Sequence, residues 1–111
     1  MVRLVTRGRF THDYVKGLVG APEDREPAVR KLIEGAGGKL LSFYITTGDS
    51  DFMTVAEANE AETLIAAYLA AAAAGTISDV TTQRAWTGSE FKAIAEKASK
   101  AASLYRAPGK S

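Results

Sequence analysis

The chemistry open to this chain rests on arginines and tyrosine held in β-rich segments. VRLVTRGRF at 2–10 sets Arg3, Val5, Arg7 and Arg9 at alternate positions, and SFYITTGDSD at 42–51 supplies Tyr44, Thr46 and two carboxylates. QRAW at 83–86 adds Arg84 two residues before Trp86. A guanidinium offers a fork of N–H donors that matches carboxylate or phosphate, and a phenol donates one further hydrogen bond. On one sheet face, Arg7, Tyr44, Thr46, Arg84 and Trp86 would line a pocket for a small anionic molecule. The same residues also read as a solvated or subunit-packed surface, with arginine stems laid over apolar neighbours.

Other chemistries find no footing. His12 is the sole histidine and falls in the first turn of a helix, where a surface position is the simpler reading than a catalytic base. With no cysteine and one histidine, neither a thiol nucleophile nor a metal-ligand cluster is expected, and no cofactor is implied. GAGGKL at 35–40 lacks the spacing of a phosphate loop, carries Leu40 where Ser or Thr is required, and ends a helix instead of starting one. No serine sits in a G-x-S-x-G elbow. Asp49 and Asp51 are adjacent turn carboxylates, whereas glycoside hydrolysis needs an opposed pair.

The elements that position these groups follow from periodicity. Val2 to Phe10 reads as a strand; Thr11 caps the next helix, with Phe10 and Val15 spaced as a hydrophobic staple. Pro22 and Pro27 interrupt any single long helix, and a second helical segment starts near Pro27. It buries Ala28, Val29, Leu32, Ile33 and Ala36 and stops at Gly37-Gly38. Leu40 to Thr47 and Asp51 to Glu57 are the next strands, with Leu41, Phe43 and Ile45 predicted to share the helix-facing side. Gly48-Asp49 suits a two-residue hairpin turn, after which the Asp51 carboxylate accepts from free backbone N–H groups.

Asn59 and Glu62 resemble a capping box opening a helix that closes at Gly75, with Leu64, Ile65, Tyr68 and Leu69 on its buried face. Thr76 to Trp86 is the fourth strand. Thr87 and Glu90 form a second capping box, stapled by Trp86 and Phe91, for a last helix reaching about Tyr105.

The order is β-α-β-β-α-β plus a C-terminal helix: an α+β, ferredoxin-like split βαβ arrangement. Its four-stranded antiparallel sheet carries two helices on one face, with the first and third strands central. A single domain over 1–105 with a loose tail at 106–111 is expected, since 111 residues hold one core and no more. Apolar residues at 46% and charged residues at 24% are ordinary for a globular protein. A net charge of +1 argues against a nucleic-acid binder. MVRLVTRGRF does not read as a signal peptide, and no apolar run nears the roughly 20 residues of a membrane helix. A cytoplasmic location without membrane contact is therefore the expectation.

Four separated blocks, GRFT at 8–11, AGGKL at 36–40, SFYITTGDSD at 42–51 and QRAWT at 83–87, resemble the GYD-domain family of small bacterial proteins. The family's Gly-x-Tyr-Asp hairpin is matched by Gly48 and Asp51, while Ser50 stands in the tyrosine position. Tyr44, Gly48, Asp51 and Arg84 match the family pattern; Arg7 and His12 do not. The resemblance implies a ferredoxin-like fold paired into a dimeric α/β barrel, with no settled activity. Gly48 and Asp51 take a structural role in the hairpin.

Three functions remain open at this level. One is a homodimeric or higher oligomeric module binding a small anionic metabolite. The second is a cofactor-free oxygenase or isomerase of the dimeric barrel type. The third is a purely structural oligomer whose second sheet face is consumed by subunit contact.

Overall fold

The computed structural model describes residues 1–110. Four strands form one antiparallel sheet: β1 (Val2–Phe10), β2 (Lys39–Ile45), β3 (Phe52–Ala58) and β4 (Ile77–Arg84), in the order β2-β3-β1-β4. The first and third strands are central, as the βαββαβ order predicts. Four helices accompany them: α1 (His12–Gly20), α2 (Glu26–Ala36), α3 (Ala61–Ala73) and α4 (Gly88–Ala102). Only α2 and α3 pack broadly on the sheet. Neither α1 nor α4 buries a residue, and the molecule is drawn out to 66 Å along its longest axis.

The core lies between the sheet and α2 and α3. Leu4, Leu40, Ala56 and Ala58 meet Ile33, Leu64, Ala67 and Tyr68 there. Two threonines, Thr6 and Thr54, are buried among them; the Thr54 hydroxyl is satisfied by the Tyr68 phenol. Small residues, Ala58 and Gly38 among them, let the layers approach closely at one end. There a Cβ on Gly38 would lie 2.8 Å from Leu64 Cδ2 and 3.1 Å from the Glu57 carbonyl oxygen. Gly37 just before it adopts φ +107°, and the two N–H groups close α2 onto the carbonyls of Glu34 and Ile33.

Several local expectations are corrected. β2 carries a bulge between Leu40 and Ser42 that adds a residue and reverses the side-chain phase. Leu40 and Phe43 therefore face the helices, while Leu41 is exposed. Ile45 pairs with Phe52 but lies at the sheet end, 57% exposed. The turn after it is not a two-residue hairpin: strand pairing ends at Ile45 and Phe52, leaving residues 46–51 as a loop. Gly48 still takes the positive φ expected of it, at +94°. The Phe10–Val15 staple does not form, because Phe10 stacks on Tyr14 at 4.0 Å and leaves Val15 exposed. At α3 the cap is Glu60 with no side-chain hydrogen bond, so the Asn59–Glu62 box is absent.

The box at α4 does form. Thr87 Oγ1 accepts from the Glu90 N–H, and the Glu90 carboxylate accepts from the Thr87 N–H. The Trp86 and Phe91 rings meet edge-on at 5.8 Å. α4 stops at Ala102, short of Tyr105, and of the tail expected at 106–111, Ser111 lies outside the described residues.

Because the Gly38 contacts include backbone and a buried leucine, Gly38→Ala is expected to destabilise the fold by about 1–3 kcal/mol. Urea unfolding measures this, and the midpoint should fall without a change in slope.

Candidate ligand-binding face

The face of the sheet away from α2 and α3 is open, and register sorts its side chains into rows. Tyr44, Met53, Arg7 and Thr81 form one row across the four strands. Ser42, Val55, Val5 and Gln83 form the next, and Lys39, Glu57 and Arg3 a third. The middle of the face is thus valine and methionine, with charge at one end and an arginine–tyrosine row at the other.

The arginines differ in what neutralises them. Arg3 is clamped between Glu57 at 2.9 Å and Glu90 at 2.7 Å. Arg9, at the end of β1, donates to the carbonyls of Gly48 and Asp49 and lies 3.5 Å from the Asp51 carboxylate. Arg7 instead donates to the neutral Gln83 amide oxygen at 2.8 Å. Its charge has no carboxylate partner among the described residues. Arg84 has none either, and its guanidinium stands 5.4 Å over the Trp86 ring.

The five residues expected to line one pocket do not share a face. Arg7 and Tyr44 lie on the open side in the same row. Arg84 pairs with Leu4, a buried core residue, so it and the Trp86 ring stacked near it belong to the other side and edge of the sheet. An extra residue in β4 opposite Arg7 and Arg9 inverts the side-chain alternation up to Arg84. Thr46 lies in the loop, its hydroxyl donating to the Ser50 carbonyl at 2.7 Å.

Asp51 has a structural role, though with different partners from those expected. Its Oδ2 accepts from the Phe10 N–H at 2.9 Å, and its own N–H donates to the Gly8 carbonyl at 2.7 Å. The carboxylate thereby supplies a rung that backbone pairing lacks beyond Gly8 and Phe52. Arg9 is the residue that sequence reasoning missed: it ties the Gly48 loop to β1, and only its position two residues after Arg7 hinted at it.

A shallow hollow brings His12, Thr46 and Asp51 together beside Phe10 and Ile45. Tyr44 is not among its residues, His12 is exposed, and Asp51 is committed to Phe10 and Arg9. This arrangement lacks an enclosed acid or base facing Tyr44. Among the described residues no group of three or more His, Cys, Asp or Glu side chains is disposed to hold a metal ion. No helix among them is long and apolar enough to cross a membrane.

The GYD domain model matches residues 4–95. The chain belongs to the GYD domain family. No curated protein matches it. A solved structure described as the crystal structure of FFRP-DM1 is similar at 14% identity and a TM-score of 0.47, over 78% of this chain and 100% of that one. The family match covers β1 from Leu4, the other three strands and the first half of α4, and so includes both the Arg7–Tyr44 row and the Arg9–Asp51 clamp.

One carboxylate joins α4 to this face. Glu90 accepts from the Thr87 N–H and from Arg3, and these bonds hold its pKa at about 2, below the ordinary 4.5. The folded value is the lower one, so the contribution is fully present above pH 4.5 and is lost as pH falls through about 2. The carbon-13 Cα shifts of the first turn of α4 should move toward coil over that window. Glu90→Gln should show the reduced helicity already at pH 7 and lose this pH dependence.

The Asp51 rung gives a second expectation. Asp51→Ala removes a charged acceptor from a partly exposed backbone N–H and is expected to cost about 1–2 kcal/mol. Amide exchange at Phe10 should accelerate more than at Leu4.

Proposed function

We propose that this GYD-domain protein is a homo-oligomeric module that holds a small anionic metabolite between copies, over the open sheet face. The observation that supports this reading best is Arg7, a guanidinium on a valine-centred face with no carboxylate among the described residues to balance it. Tyr44 lies in the same row two strands away, a backbone separation of about 10 Å from two ladder spacings. An anion of a few heavy atoms can bridge a guanidinium and a phenol across that gap, with Met53 beneath it.

A second copy is the natural cover. The apolar middle row favours removal from water, and a closed interface lowers the local dielectric in which Arg7 meets the anion. Arg7 and Tyr44 carry the ligand in this reading. Thr46, Arg84 and Trp86 fall outside it, because the loop and the register turn them elsewhere. A cytoplasmic setting goes with it, in keeping with a chain that contains no cysteine.

Native mass spectrometry on gently purified protein, joined to thermal shift with a panel of carboxylates and phosphates, tests the proposal. An oligomer is expected, with one class of anion raising the melting temperature. At ten times its Kd a ligand stabilises by about 1.4 kcal/mol. Arg7→Gln should abolish that shift. A monomer, or an equal shift in Arg7→Gln, rules the reading out.

A further inference from the structure

A second site lies on the other side of the sheet. A cleft of about 90 Å³ opens between α2 and the sheet, at the end of the core away from Gly38. Its walls are aromatic and aliphatic: Phe10, Phe43 and Phe52 from the strands, Val29 and Ile33 from α2, with the Thr54 and Tyr68 hydroxyls deeper in. The rings form a continuous stack, with Phe10 4.0 Å from Tyr14 and 5.6 Å from Phe52.

Arg25 stands in this lining, its guanidinium 5.6 Å over the Tyr14 ring. Nη1 donates to the Glu23 carboxylate at 2.8 Å, an ion pair at the outer rim. Nε is shielded from solvent and has no hydrogen-bond partner among the described residues. A buried N–H without an acceptor costs free energy that a suitable acceptor recovers. Nε is closed off while the guanidinium lies over Tyr14, and a turn of this partly exposed side chain would present Nε with Nη2, the side that takes a carboxylate through two parallel bonds.

We propose that this cleft binds a small apolar carboxylate, a single ring or branched chain, with the carboxylate on the Nε–Nη2 edge of Arg25 as that side chain turns toward it and the apolar body among Phe10, Phe43 and Phe52. The size follows from the cavity. A water-sized atom needs at least about 10–15 Å³ of such space, so the cleft admits on the order of six to nine heavy atoms. The chemistry follows from the walls, which offer one unpartnered donor, hydroxyls already bonded within the protein, and otherwise carbon. A phosphate or a polyol would leave most of its oxygens facing phenylalanine. The site is independent of the Arg7 row, from which the full thickness of the sheet separates it.

Benzoate is the probe, with benzamide as its neutral counterpart, followed by titration on nitrogen-15-labelled protein. Benzoate should perturb the amides of Ala28, Val29, Phe52 and Ile77 in a saturable manner. Benzamide, and benzoate with Arg25→Gln, should bind at least about tenfold more weakly. In Arg7→Gln the benzoate perturbations of Ala28, Val29, Phe52 and Ile77 should persist while any at Val5 and Tyr44 disappear, which separates this site from the open face. The spectrum of each variant reports whether it is folded. For a folded Arg25→Gln, unchanged benzoate affinity overturns the proposal. So do equal affinities for benzoate and benzamide, perturbations confined to Val5, Arg7 and Tyr44, or no saturable shift with native protein. Should Arg25→Gln fail to fold, the comparison of benzoate with benzamide on native protein decides alone.

Discussion

β1 is hydrogen-bonded along both edges, and its alternation decides what every other element can do. Leu4, Thr6 and Gly8 must point to the helices, so Arg3, Val5 and Arg7 must point away. No side chain on a neighbouring strand can change sides without a bulge. The two chemical surfaces of the molecule, a guanidinium beside a phenol on the outer face and an aromatic cleft on the inner one, are therefore two readings of one strand. Neither can be moved without unpairing the centre of the sheet.

This constraint also explains which parts of the fold were legible from the amino-acid order. Element order, the central placement of β1 and β3, the α4 capping box and the Gly37-Gly38 stop depend on short patterns of polarity and turn chemistry, which the chain carries openly. Placement of Arg84 and Leu41 depends on something else. β2 has a bulge at Leu41, and β4 has another opposite Arg7 and Arg9, with Asp79 at φ +51°. Each inserts one residue and inverts the phase beyond it, yet neither leaves a glycine or proline as a sign. Strict alternation consequently grouped Arg84 and Trp86 with Arg7. Arg25 went unnoticed for a different reason: its setting is a tertiary one, made by Tyr14 and Phe10 folding back over the sheet end.

The loop at 46–51 shows how a short carboxylate-bearing segment is fixed without regular pairing. Gly48 supplies the left-handed backbone, while Asp51 and Arg9 tie the loop to β1 from opposite directions. Gly48 and Asp51, which resemble the family hairpin in sequence, both serve this tie. Serine at position 50 contributes only its backbone carbonyl, to Thr46. The hairpin thus holds together here without an aromatic ring at that position.

The layer between helices and sheet is also tapered. At the Gly38 end, backbone nearly touches backbone and no added atom fits; at the Phe10 end, bulky rings hold α2 away and leave a gap. Unfolding volume scales with the voids it eliminates, so the compressible part of this protein sits at one end of its core. Hydrostatic pressure would act on the two ends unequally, squeezing the aromatic end while the glycine end, already closed, stays in register.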